Sequence, residues 1–238
     1  MSGLLVIGAH PDDCEHIAGG LAANTVSAGE PVTFLVVTNG ELWHSDEQVT
    51  DPNSIAQARR REAAAGAAVL GASVLFAELP DSGLTGHPDL ATVLVRFIRQ
   101  LRPERVVTHS PDEGHYDHKA VATTVLRVCN VEGEPSLVGN ARFRPDLGAS
   151  HDITRLYFAA QGADLYRDST VFIDTSAALD KKIKALQSHG SQSADLAALD
   201  QRVRLTAAAT GRIAGLEAGE AFYSAPGYRP VIRYIRLP

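Results

Sequence analysis

The chain has 238 residues, 45% of them apolar, and a net charge of −6. That length suits one large α/β domain with an ample core, and the acidic balance excludes the electrostatic footprint of a nucleic-acid binder. No apolar run approaches the length of a membrane span, and two cysteines, Cys14 and Cys129, stand in no metal or redox spacing.

In chain order, Leu4-Leu5-Val6-Ile7 reads as a strand buried on both faces, as in a parallel sheet. It ends in Gly8-Ala9-His10-Pro11-Asp12-Asp13, one imidazole and two carboxylates on a tight loop. A four-residue run with no basic segment before it is expected to be this first strand and not a signal peptide. A helix is predicted over 15–28, then a strand over 32–37 and the turn Thr38-Asn39-Gly40-Glu41. Residues 41–53 read as a loop, 54–70 as an Ala-rich helix closed by Gly71, and 74–76 as a third strand with Pro80-Asp81-Ser82-Gly83 after it. From Pro88 to Leu101 an apolar stripe of Leu90, Val93, Leu94, Phe97, Ile98 and Leu101 marks the clearest helix.

Val106-Val107 is a short fourth strand, followed by His109 to Gly114 and a second polar cluster, His115-Tyr116-Asp117-His118. A helix is predicted over about 118–131. Residues 132–152 carry Gly, Pro, Asn and arginines without a period, and read as a lid or substrate loop. Strands are expected at 156–158 and 171–173, helices at about 176–187 and 194–210, and a weakly alternating tail over 222–238 that adds an edge strand near 231–235. With no linker, repeat or low-complexity tract, one domain over 1–238 is expected.

Alternating strands and helices imply a doubly wound, mainly parallel sheet with helices on both faces. A central strand order of 3-2-1-4 makes strands one and four neighbours, and the crevice at their carboxyl ends is where such folds bind ligands. Both polar clusters follow those strands. The dinucleotide fingerprint and the phosphate loop are absent, and Gly19-Gly20 comes too late to cradle a pyrophosphate, so it is expected to let the first helix pack closely. Imidazole and carboxylate ligands suit zinc, and a catalytic site takes three of them and keeps a position for water. His10, one of Asp12 and Asp13, and His118 fill that set, and the other aspartate stands ready as general base. The residues alone do not choose between the two aspartates. His115, with Asp117 between it and His118, is read as a histidine oriented by a carboxylate that stabilises an oxyanion or protonates a leaving amine. His109 is expected to line the pocket or bond a backbone group, and Cys14 to be a small buried neighbour.

Ala9-His10-Pro11-Asp12-Asp13 with the downstream His115-Tyr116-Asp117-His118 resembles the PIG-L/LmbE-like family of zinc-dependent N-acetylglucosaminyl deacetylases. Asp13-Cys14-Glu15 is similar to the bacillithiol-pathway branch, and the family also holds mycothiol-pathway deacetylases and antibiotic-tailoring sugar deacetylases. The resemblance implies zinc ligands His10, Asp13 and His118, Asp12 as general base, and His115 as the electrophilic or acid residue oriented by Asp117. It implies Arg59 and Asp81 near the substrate. Cys14 and His16 depart from the family's usual small or apolar residues, and no tyrosine stands near Ala209-Thr210 where some members place one, which leaves substrate choice open.

The expected function is removal of an N-acyl group, first of all acetyl, from a small amino sugar or glycoside in the cytoplasm. Zinc is the expected metal, with iron(II) or another divalent ion suited to the same ligands. Neither nucleic acid nor membrane is an expected partner, and a homo-oligomer is left open. An amidase on a larger thiol conjugate or natural-product amide is the alternative that the 132–152 loop motivates. A non-catalytic sugar- or nucleotide-binding domain is the alternative of another class, and it has no use for Asp12 and His115.

Overall fold

The computed structural model describes residues 3–129, 136–225 and 234–235. Its strands are β1 (Leu4–Gly8), β2 (Val32–Thr38), β3 (Ser73–Leu79), β4 (Arg105–Thr108), β5 (Arg155–Ala159), β6 (Thr170–Asp174), β7 (Gly219–Ser224) and β8 (Tyr234–Ile235). Its helices are α1 (Asp13–Ser27), α2 (Pro52–Leu70), α3 (Leu90–Leu101), α4 (Tyr116–Cys129), α5 (Leu179–Leu186) and α6 (Leu196–Ile213). The strands form one sheet in the order β3-β2-β1-β4-β5-β7-β6-β8. The five from β3 to β5 are parallel, so the expected central order 3-2-1-4 is present.

A strand covered on both faces sends alternate side chains into two cores. Leu5 and Ile7 of β1 join Leu94 and Ile98 of α3 and Val121 and Val125 of α4. Leu4 and Val6 join Ile17 and Ala22 of α1 and Ala67 and Leu70 of α2 on the other face. Each buried Leu, Ile or Val among them contributes roughly 1.5–3 kcal/mol. A small third core ties α5 to α6 through Ile183, Leu186, Leu199 and Val203. Local signals set the ends of α2. Asp51 caps its start by accepting from Ser54 N–H at 3.0 Å, and Gly71 closes it at φ 80°. Among the described residues no helix is long and apolar enough to cross a membrane.

The second half departs from the sequence reading. β7 lies between β5 and β6, antiparallel to both, and every residue in it is buried. Its Gly219-Glu220-Ala221 start lacks β-formers and alternation, so the pattern shows a tail from 222 where tertiary packing makes an inner strand. The expected edge strand is there as β8, parallel to β6, while 231–233 fall outside the described residues. α1 starts at Asp13 and α4 at Tyr116, each two residues earlier than predicted.

The stretch read as a substrate loop takes a different place. Its described part, 136–152, packs at the amino ends of β4 and β5, the far end of the strands from the two polar clusters. His151 Nε2 meets Pro103 O at 2.6 Å, and Thr154 N–H donates to Glu104 O at 3.1 Å. Buried Arg99 of α3 holds this segment by donating to five carbonyls, Leu137, Val138, Asn140, Arg144 and Gly148, at 2.8–3.3 Å. Arg144, on the same segment, pairs with Asp146. Arg99→Met should therefore lower stability by about 3 kcal/mol or more, because the carbonyls lose their donors together. Urea unfolding measures this. Turnover below the melting range should stay at the wild-type level, and an unchanged midpoint would contradict the structural assignment of Arg99.

Candidate metal centre

The His10–Asp13 loop is fixed by its backbone. Thr38 N–H and Oγ1–H both donate to Ala9 O, at 2.8 and 2.9 Å. His10 N–H donates to Asp13 Oδ2 at 2.7 Å, and Asp13 N–H returns to His10 O at 3.2 Å. Gly8 is required at the strand end, since a Cβ there would stand 2.7 Å from Asp13 Cβ. Between the ligand candidates, Asp12 takes φ 106°, ψ −25°, a left-handed conformation that costs a non-glycine residue of order 1–3 kcal/mol. Buried Arg59 braces this turn. It donates to Pro11 O at 2.8 Å and Gly40 O at 2.9 Å, and stands 3.4 Å from Asp12 Oδ1.

Three donor atoms from the two clusters form a near-equilateral triangle. His10 Nδ1 and His118 Nε2 are 3.1 Å apart, and each is 3.3 Å from Asp13 Oδ2. Ligands about 2.0–2.1 Å from a tetrahedral zinc lie roughly 3.3–3.4 Å from one another. The triangle therefore has the size of one face of such a site, and the residues fit a four-coordinate cation with one position left for water or substrate.

Both imidazoles have the outer partners that a metal-binding histidine uses. His10 Nε2 faces Asp81 Oδ1 at 3.2 Å and Asp117 Oδ2 at 3.4 Å, which keeps a proton on Nε2 and turns the Nδ1 lone pair to the triangle. His118 Nδ1 hydrogen-bonds Glu113 Oε1, which frees Nε2 in the same way. His109 Nε2 lies 3.2 Å from Asp13 Oδ2, but it accepts the Ala9 N–H at 3.0 Å, so its lone pair is engaged. Both parts of the expectation for His109 are present, a backbone bond and a place in the cavity wall.

The two adjacent aspartates have opposite electrostatics. Burial opposes ionisation of Asp13, but His109, His10 and His118 outweigh it and hold the carboxyl well below its usual range. Burial and then the Asp13 charge push Asp12 up to about 7, against Arg59 and His189. The anionic member is the one inside the triangle.

The structure brings together His10, Asp13, His115 and His118. The ring of His115 is exposed, stacks on His118 with centroids 4.4 Å apart, and meets His10 edge-on at 4.9 Å. Asp117 is placed differently from the sequence reading. Its carboxylate accepts Leu84 N–H at 3.1 Å and faces His10, and only its backbone N–H meets His115, at Nδ1 and 3.3 Å. A helix that starts at Tyr116 turns that side chain inward. Arg59 and Asp81 border the centre through Asp12 and His10. Cys14 packs in the core with Sγ 3.6 Å from Val6 O. Glu113 carried no role in the sequence reading, and the available signal was a carboxylate one turn after His109 and five residues before His118. A cavity of about 630 Å³ opens from Asp13, His109, Glu113 and His118.

The profile of the PIG-L family, described as GlcNAc-PI de-N-acetylase, matches residues 5–129. The chain is 28% identical over 193 residues to diacetylchitobiose deacetylase of Thermococcus kodakarensis, covering 79% of this chain and 69% of the relative. It is 34% identical over 121 residues to 4-oxalmesaconate hydratase of Pseudomonas putida, covering 48% of this chain and 46% of the relative, and so spans about half that protein's length. The solved structure of N,N'-diacetylchitobiose deacetylase from Pyrococcus horikoshii superposes with a TM-score of 0.82 at 22% identity, covering 95% of this chain and 84% of that one.

Glu113→Gln leaves the side chain in place and removes the charge behind His118. Zinc affinity, read by competition with a chromophoric chelator, should fall by about 10–100-fold. Wild-type affinity in that variant would remove Glu113 from the centre.

Proposed function

Because this chain belongs to the PIG-L family, we propose that it is a metal-dependent hydrolase that removes an N-acyl group, first of all acetyl, from an amino sugar or glycoside. The triangle of His10, Asp13 and His118 carries the reading, with the remaining carboxylate of Asp12 and the exposed imidazole of His115 beside it. Zinc is the metal we assign, held by those three residues. When bound, it supplies a Lewis acid for the acyl carbonyl and a water of lowered pKa in the open position.

The chain's own groups do the proton work. Asp12 accepts a proton from the attacking water as general base. Arg59, tied to Pro11 and Gly40, steadies Asp12 at Oδ1, while Oδ2 faces His16 Nε2 at 3.9 Å. His115 accepts the Asp117 N–H at Nδ1, so its neutral ring carries a proton on Nε2. From there it donates a hydrogen bond to the developing oxyanion, and the proton that Asp12 took from the water passes on to the departing amine nitrogen. Asp117 and Asp81 act through His10, by fixing its tautomer. Hydroxyl ends on the acyl carbon and a proton on the nitrogen, giving a carboxylic acid and a free amine. The cavity is within the size range of small-molecule sites, and a named diacetylchitobiose deacetylase among the relatives favours an amino sugar in it. Two cysteines in no metal or redox spacing accord with a cytoplasmic setting.

The hydratase relative favours a second reading, addition of water to the double bond of an unsaturated acid at the same centre. A panel of N-acetylated amino sugars and unsaturated dicarboxylates separates the two, by amine release against loss of ultraviolet absorbance. Chelator treatment should abolish amine release, and added zinc should restore it. Amine release that survives verified metal removal would overturn the proposal. Asp12→Asn should keep its zinc and lose turnover by about 10²–10⁴-fold, and full turnover in that variant would exclude Asp12 as the base.

A further inference from the structure

α1 is two segments. Ala18 leaves the helical region with φ −145°, ψ 22°, five residues after Asp13. A break inside a buried helix strands carbonyls on one side and amides on the other. Here one ion pair takes up both. Lys182 Nζ, from α5, donates to His16 O of the first segment at 2.7 Å. Glu220, from β7, accepts Gly20 N–H at 2.7 Å and Leu21 N–H at 2.8 Å, the opening amides of the second segment. Lys182 Nζ and Glu220 Oε1 are 2.7 Å apart, and both residues are buried.

The break is shaped to receive this pair. A Cβ on Gly19 would stand 3.0 Å from Lys182 Cγ, and one on Gly20 2.6 Å from Thr175 Cγ2 and 3.0 Å from Glu220 Oε1. The Gly19-Gly20 doublet thus serves close packing, as the sequence suggests, and the neighbour it admits is a charged side chain. Stability alone does not explain the choice, since buried ion pairs are commonly replaceable by apolar groups without loss. What the pair fixes is the direction of the short first segment, which holds Asp13 and follows directly from Asp12. Lys182 and Glu220 also line the cavity that Asp13 and His118 open into.

We propose that Lys182 and Glu220 are positioning residues for the metal centre, holding the break in α1 at the angle that presents Asp12 and Asp13. The inference rests on the metal-site reading above, and its test is read first on metal binding. Lys182→Met, Glu220→Gln and Glu220→Asp are compared with the wild type for zinc affinity by chelator competition, for melting temperature without metal, and for kcat and KM. The expected result is a fall in zinc affinity of about tenfold and a fall in kcat with KM little changed. Glu220→Asp should be affected although it keeps the charge, because it draws the carboxylate back from Gly20 and Leu21. Should Lys182→Met fail to fold, the isosteric Glu220→Gln carries the comparison. A lowered melting temperature with wild-type zinc affinity would make the pair a purely structural tie and overturn the proposal. So would a raised KM at unchanged kcat, which would assign the pair to substrate contact. If wild-type protein binds no zinc, the metal-site reading itself fails. If it binds zinc and deacetylates nothing, only the substrate assignment fails.

Discussion

The centre depends on the parallel register of β1 against β4. Ile7 pairs with Thr108, and the Thr108 hydroxyl donates to the Ile7 carbonyl at 2.9 Å. Beyond that rung the strands stop pairing and each runs into its polar loop. The first bond after the sheet already joins them, from Ala9 N–H to the His109 ring. A slip of one residue would turn alternate side chains to the opposite face and exchange the two cores. It would also carry His10 and Asp13 about 3.3 Å along the strand, a distance equal to the side of the donor triangle. The apolar alternation of Leu4 to Ile7 between two packed faces is thus what places a metal-sized triangle at the strand ends.

Around the triangle, each group's charge state is decided by a neighbour. Asp13 is held ionised by three imidazoles, and its own charge, with burial, raises Asp12 beside it. Asp81 and Asp117 behind His10, and Glu113 behind His118, fix which ring nitrogen faces inward. The left-handed turn at Asp12 is the local cost of placing two consecutive carboxylates in different surroundings. That strain persists because Arg59, Thr38 and the helix start determine the loop from three directions.

Much of this was legible in the sequence because it is written in local signals. Apolar runs ending in polar loops marked β1 and β4, and the strand–helix alternation implied that they are neighbours. What failed to show was information held by distant partners. β7 has no strand pattern of its own and is made a strand by β5 and β6. Asp117 looked like the partner of His115 because they are close in sequence, but a helix that begins at Tyr116 sends its side chain to His10. Residues 132–152 looked like a substrate loop because they lack a period. The described part, 136–152, is held by one arginine on α3 that donates to five carbonyls, and composition holds no trace of that. The choice between Asp12 and Asp13 came only with the family resemblance, since either carboxylate satisfies the ligand chemistry on paper.

The family profile ends at Cys129, and every residue of the donor triangle and its outer partners lies before that point. The cavity walls come largely from later residues, among them Ala159 to Gly162, Arg202, Thr206, Thr210 and Glu220. The centre and its surroundings are therefore separable parts of the chain. A centre that activates water on an amide is chemically able to deliver water to other electrophiles, and relatives named as a deacetylase and as a hydratase both align with this chain. Which electrophile reaches the open side of the triangle is a matter of shape and charge in the later walls. The break in α1 is where the two parts meet, since Lys182 and Glu220 belong to the later half and take hold of the helix that carries Asp13. A change in the walls that moves this ion pair would therefore also bear on the helix segment that presents Asp13 to the triangle.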